Sequence, residues 1–310
     1  MYNAVVLADS INQDVRLTTM QITFPRFILA ELNTHRVLSR SSASSRAIPI
    51  KKRIDEVIKN PFIPEYWGVN QKGMQAYTAL EEHVVTMAEG EWLSARDSAV
   101  RHATRLNSLN IHKQTVARVL EPYLWHTAIV TATEWENFFA LRISPEAQPE
   151  FRRIAELMRD AMNENAPREL GIGDWHLPFI DEDDRVTVRA VVPDENVATY
   201  LARISAARCA RVSYLTHDGR RDHQEDLNLA NRLSSAGHMS PFEHVAQVSA
   251  LPIHTMHEFS SKPWICYQCG VEVDWGAPNV CCPRFIGNFR APWMQYRKML
   301  PNEAVFKRGD

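Results

Sequence analysis

Residues 15–24, VRLTTMQITF, alternate apolar and polar side chains, and the stretch NTHRVLSRSSASSRAIP follows at 33–49. The period of two marks a strand with one buried face, which has to join a sheet. PRFILAELN, with Pro25 near its first turn, predicts a helix leading into the Arg/Ser run, and AIPI leads out of it. Those seventeen positions hold one histidine, three arginines and five serines, with no glycine and no acid. By composition so much fixed positive charge and hydroxyl reads equally as a solvated loop or a local anion site; packed elements pinning both ends favour the anion site.

Nothing global competes with that reading. The 310 residues carry 35 basic and 37 acidic side chains, a net charge of −2, so no overall field draws the chain to nucleic acid or an anionic membrane. With 45% hydrophobic and 23% charged residues a substantial core can form. No basic leader or long apolar run opens the chain, and no stretch of about 18 apolar residues occurs, so a cytoplasmic protein is expected.

AVVLAD and VRLTTMQITF read as strands, and residues 73–107 as one long helix or two joined near Gly90. ATEWENFFALR and AQPEFRRIAELMRDAMNEN read as helices broken at Ser144-Pro145. RVTVRAVV reads as the clearest strand of the second half, ENVATYLARISAARCARVSYL as helix, HQEDLNLANRLSSAG as a helix stopped at Gly237, and EHVAQVSALPIH as strand. The expected class is α/β (α+β), a mixed sheet flanked by long helices. The one plausible seam, near 166–185, divides it into halves 1–170 and 171–310, interlocked as one domain.

Arginine offers a planar, permanently charged fork suited to phosphate oxygens and to the carbonyl edge of a pyrimidine. Without a GxGxxG or GxxxxGK loop, side chains have to do the anion binding. THRVLSRSSASSRAIP resembles the signature of the flavin-dependent thymidylate synthases at His35, Arg36, Ser39, Ser44 and Arg46. Thr34 and Ser42 stand where that signature has an arginine and an acid, and Glu31 where the family has glutamine. ATEWENFFALRISPEAQPEFRRIAELM is similar to the family's second motif at Asn137, Arg142, Ala147, Gln148 and Glu150, with Arg118 in ARVLEP before it. AARCARVSYL and GHMSPFEHV resemble a third, which in most of the family comes first; here it comes last, as in a circular permutation or a divergent, phage-type branch.

The resemblance implies a homotetramer with shared sites that binds FAD and methylates deoxyuridine monophosphate. Methylenetetrahydrofolate would supply the carbon and NADPH the reducing equivalents, with no nucleic acid or membrane partner. It implies Arg142 at the uracil ring as the catalytic group, and Ser44, Arg46 and Arg118 at the nucleotide. His35, Arg36, Asn137 and His244 would meet flavin, with Ser39 and Ser213 beside them. Arg40, one turn along if the segment is helical, is the expected substitute for the arginine lost at Thr34. Arg142 has a simpler use as a helix-end cation, His244 as a core histidine and Asn137 as a capping amide. Glu150, Arg152 and Arg153 read as a solvated helix face.

WICYQCGVEVDWGAPNVCCP places Cys266 and Cys269 with two residues between them and Gly270 next, as in half of a zinc ribbon, while Cys281 and Cys282 are adjacent, the wrong spacing for its second half. Structural zinc on Cys266, Cys269, Cys281 and Cys282, or with His257 in place of one of the adjacent thiols, and buried reduced thiols are the two readings; Cys209 reads as core. Rival functions are a cysteine-nucleophile route to thymidylate through NVCCPRF, flavin- or folate-dependent hydroxymethylation of a pyrimidine deoxynucleotide, and a nucleotide- or RNA-binding module. The carboxyl-terminal GNFRAPWMQYRKML reads as a subunit contact or a lid.

Overall fold

The computed structural model describes residues 1–44, 47–214, 222–249, 264–265, 272–273, 287–300 and 303, the side chains of 213–214, 264–265 and 272–273 excepted. β1 (Asn3–Asn12) and β2 (Val15–Pro25) pair antiparallel. They are joined through Gln13 and Asp14 at φ 46° and 61°, the left-handed pair that a two-residue hairpin turn requires. β2 leads through a short 3-10 turn to α1 (Leu29–Leu32), β3 (Ser39–Ser42) and α2 (Ile50–Lys59). Then come α3 (Glu82–Ser108), α4 (Lys113–Val116), a 3-10 stretch at Ala117–Tyr123, and β4 (Trp125–Ala132). With β5 (Arg168–Glu169) parallel to β1, the strands form a five-stranded mixed sheet in the order β3-β4-β2-β1-β5.

The period of two sorts this sheet's faces. Met20, Ile22 and Phe24 of β2 join Ala128, Val130 and Ala132 of β4 beneath α5 (Glu136–Arg142) and α6 (Pro149–Glu164). Phe151, Ile154, Ala155 and Met158 of α6 recur at helical spacing and are buried there. Each large apolar side chain so buried contributes about 1.5–3 kcal/mol. The opposite face presents Leu17, Thr19, Ile129 and Thr131 to a second layer.

That layer contains β6 (Trp175–His176), α7 (Glu182–Val191), α8 (Asp194–Ala210), α9 (His223–Ser235) and β7 (Ala246–Val248). A two-stranded pair, β8 (Trp264–Ile265) and β9 (Glu272–Val273), follows. β10 (Trp293–Gln295) then pairs with β7, and α10 (Tyr296–Met299) ends the described helices. Arg208, buried on α8, donates to both oxygens of Asp184 at 2.6 and 2.8 Å and to Asp226 at 3.0 Å, locking α7, α8 and α9 together.

Four expectations change. RVTVRAVV lies on a helix, α7, because Asp181 accepts from the Asp184 amide at 3.0 Å and Asp184 accepts from the Asp181 amide at 3.1 Å. This capping box outweighs the weak strand preference of its valines. Residues 39–42 are strand rather than helix, so Arg40 does not lie one helical turn from the signature histidine. Glu150 is 7% exposed, not solvated. Trp293 and Tyr296 pack into the chain's own cores instead of a lid or subunit contact. α3 runs through Gly90 unbroken, and α9 stops at Gly237, φ 74°, where only glycine is comfortable. No described helix is long and apolar enough to cross a membrane.

Candidate active site

At the edge of the first sheet, the turn after α1 and the last turn of α5 meet. Arg142 Nε donates to His35 Nε2 at 2.7 Å, and Nη1 donates to Glu31 Oε2 at 3.2 Å. The guanidinium carbon lies 4.5 Å over the Phe151 ring of α6, a cation–π seat. Arg40 Nη1 donates to the His35 carbonyl at 2.5 Å. The His35 ring is buried edge-on against Phe138 and Phe151. Since its Nε2 accepts a guanidinium proton, the ring is neutral with its own proton on Nδ1. Burial, then Arg142, then Arg40 push its pKa down to about 4.

Arg142 is therefore held on three sides: imidazole, carboxylate and aromatic face. Nη2 has no partner among the described residues, and the side chain is half-buried. A guanidinium fixed this way keeps one edge for an anion or a carbonyl oxygen and needs no reorganisation when charge develops there.

The third motif comes alongside. The Ser240–Glu243 turn packs on β3, and Gln295 Nε2 donates to Ser39 Oγ at 2.8 Å and to the Glu243 carbonyl at 3.1 Å. Glu243 pairs with Arg297 and, through its charge, raises the pKa that burial lowers on Arg40. His244 is fully buried; its Nδ1 bonds Thr131 Oγ1 at 2.8 Å, while its Nε2 has no partner among the described residues. Burial and His176 push its pKa down to about 3.

Arg36 and Asn137 are exposed and make no side-chain hydrogen bond to a described residue. Ser44 is half-buried at the end of the signature. Arg118 stands apart, mostly exposed and paired to Glu121 at 2.7 Å. Arg46, the side chain of Ser213, and Cys266, Cys269, Cys281, Cys282 and His257 lie outside the described residues, and no metal-holding group of His, Cys, Asp or Glu occurs among the described ones. Cys209 is a buried free thiol, its pKa pushed up by burial.

Sequence reasoning missed Phe151 as the seat of Arg142 and Arg53 beside the signature. Arg53 is 5% exposed, paired to Glu56 at 3.0 Å, and it lines a cleft of about 250 Å³ with Ala43, Trp125 and Thr127. The signal available was IKKR following AIP, which composition alone renders as a solvated helix start. Glu150, between Glu31 and Glu65, has its carboxyl pushed up by burial, against hydrogen bonds from its own backbone and Gln148.

The arginine-centred cluster lies within a segment that places the protein in a known class, the flavin-dependent thymidylate synthase-like methyltransferases. Residues 15–168 match the family model described as thymidylate synthase complementing protein, and through that segment the chain belongs to this family. Among solved structures, the UMP/dUMP methylase PolB from Streptomyces cacaoi, bound with 5-Br UMP, is similar at TM-score 0.45 and 15% identity. The alignment covers 53% of this chain and 89% of that one. No curated protein matches significantly.

Proposed function

We propose that the protein methylates deoxyuridine monophosphate to thymidylate, using bound FAD, methylenetetrahydrofolate as carbon donor and NADPH as reductant, in a homotetramer with shared sites. The observation that carries this reading is Arg142, clamped by His35, Glu31 and Phe151 inside the family-matched segment with one guanidinium edge left over. Adding hydride or carbon to a uracil ring drives negative charge onto its carbonyl oxygens, and a guanidinium stabilises that charge without titrating. Neutral His35 orients Arg142, and Glu31 balances its charge in the absence of substrate. Ser44 and Arg46 are assigned to the nucleotide, Arg118 being a more distant contact.

The donor set suits a flavin. Among the described residues the buried His244 Nε2 has no partner, and the exposed Arg36 and Asn137 have no side-chain hydrogen bond, which leaves them to contact a polar ring edge or a pyrophosphate. When bound, the flavin would carry the hydride and the one-carbon unit. The chain's own residues then bind the pyrimidine, fix its orientation and hold counter-charge at its carbonyl oxygens.

The test is the absorbance spectrum of the purified protein before and after deoxyuridine monophosphate, with the mass of the product. A flavin spectrum perturbed by the nucleotide, and a product heavier by one methyl in place of hydrogen, is expected. A hydroxymethyl product would redirect the chemistry, and a colourless protein that retains single-stranded RNA would overturn it.

A further inference from the structure

Five buried polar groups form an unbroken line from β1 to the end of the Ser240–Glu243 turn. Ser10 Oγ bonds His176 Nδ1 at 2.9 Å, and His176 Nε2 bonds Thr19 Oγ1 at 2.8 Å. Thr19 Oγ1 bonds Thr131 Oγ1 at 2.8 Å, and Thr131 Oγ1 bonds His244 Nδ1 at 2.8 Å. Ser10 is 5% exposed and His176 1%, and Thr19, Thr131 and His244 are sealed completely. The far nitrogen, His244 Nε2, is buried without a partner among the described residues, as is Ser41 Oγ on the neighbouring strand β3. Neither a core packing role nor the Arg142 cluster uses this line.

Each bond in it needs one proton, and each hydroxyl and each neutral imidazole has one to give. Burial pushes the pKa of both His176 and His244 down to about 3, with His176 adding to the effect on His244, so both rings are neutral at ordinary pH. With both threonine protons kept within the line, two arrangements remain, and in the second Ser10 only accepts and its own proton turns out of the line. Protons running from Ser10 toward His244 put the ring proton on Nε2 of both histidines, and His244 then offers a donor. Protons running the other way put it on Nδ1 of both, and His244 Nε2 then offers a lone pair. The two arrangements hold the same protons and the same charge, so what meets Nε2 decides between them.

We propose that His176, Thr19 and Thr131 are positioning residues that tie the tautomer of His244 to that of His176, so that His244 Nε2 meets the flavin as either donor or acceptor. The flavin half rests on the function proposed above. It matches the chemistry of that ring, whose N5 accepts a hydrogen bond when oxidised and carries a proton when reduced. A fixed donor would suit one redox state only.

Histidine ¹⁵N spectra of the full-length protein without ligand test the relay at neutral pH. Both rings should carry their proton on the same-named nitrogen. Thr19→Val should shift the His244 resonances although it does not touch that ring, while Thr19→Ser, which keeps the hydroxyl, should leave the pattern as in the wild type. Opposite tautomers in the two rings, or a Thr19→Val protein with native amide shifts and an unmoved His244, would overturn the relay. Added oxidised FAD should shift both histidines together. Coupled rings that FAD leaves unmoved would discard the flavin assignment and keep the relay.

Discussion

Arg142 Nε and His35 Nε2 are 2.7 Å apart, a bond that joins positions separated by 107 in the sequence and brings two motifs to one point. A guanidinium can donate only to an imidazole nitrogen that carries no proton. Protonating His35 would set two cations face to face and remove the acceptor that aims Arg142.

Stability and Arg142 placement should therefore both be acid-sensitive. His35 has its pKa lowered from 6.5 to about 4 by burial, Arg142 and Arg40. Between those values the unfolded chain binds a proton that the folded chain refuses. The stabilisation is complete above 6.5, declines as pH falls through this window, and is gone below about 4. His126, His176 and His244, each pushed down to about 3 with burial as the main cause, act in the same direction and extend the loss to lower pH. Thermal midpoints measured from about pH 8 to pH 4 should fall, with a shallower slope in His35→Gln. A midpoint indifferent to pH across that range would contradict the neutral-ring assignment.

Replacing Arg142 should cost more in turnover than in folding. Arg142→Ala leaves His35 Nε2 buried without its donor, a loss of about 1–3 kcal/mol. Its effect on turnover should be about 10²–10³-fold, the range for losing one preorganised donor to a developing oxyanion. Arg142→Lys should not recover activity, since a single ammonium cannot reach His35, Glu31 and a substrate oxygen at once. Steady-state rates beside melting curves separate the two effects; a Lys variant with wild-type turnover would place the reacting oxygen elsewhere.

What the sequence makes legible follows from how local each signal is. β1, β2, α5, α6 and α9 can be read because alternation or helical spacing, with Pro149 at a helix start and Gly237 at a stop, is written within a few residues. β4 escapes notice because WHTAIVTA is apolar and central, paired on both sides, with little polar alternation to mark it. α7 is misread because its valines mimic a strand while its decisive feature is a reciprocal pair of aspartates. The proximity of Arg142 to His35 follows from family motifs, yet Phe151 as its seat, and the buried line through His176 and Thr19, depend on register between distant strands. No local pattern encodes that register.

The buried ion cluster on α8 should be fragile to removal of one member. Arg208 reaches Asp184, Asp226 and the Phe179 carbonyl, and Arg211 adds a bond to Asp226 at 2.9 Å. Arg208→Ala takes the shared, most buried cation from two buried carboxylates, leaving His223 beside Asp184 and Arg211 beside Asp226, and should cost up to about 3–5 kcal/mol. Arg208→Met with Asp184→Asn and Asp226→Asn should recover part of that loss, because no fully buried charge is left unpaired and Arg211, which loses Asp226, reaches solvent. Urea titrations of the three proteins decide it; a single variant within about 0.5 kcal/mol of wild type would show that the cluster contributes nothing.

Gly287 and Gln295 should behave as one unit. A Cβ built on Gly287 would lie 1.9 Å from Gln295 Oε1, and the backbone there is at φ 85°. Gly287→Ala therefore meets two penalties, about 1–2 kcal/mol for a left-handed alanine and about 1–3 kcal/mol for the overlap. To relieve the overlap Gln295 has to leave Ser39 and the Glu243 carbonyl, detaching the carboxyl-terminal strand from the signature and from the turn before His244. Gln295→Ala removes the same two hydrogen bonds and frees the space, so Gly287→Ala in that background should keep only the backbone penalty. A double-mutant cycle by chemical denaturation should give a coupling of about 1 kcal/mol or more, the pair costing less than the two singles added. Strict additivity would mean that the glycine is there for its backbone alone and that Gln295 does not bridge the two motifs.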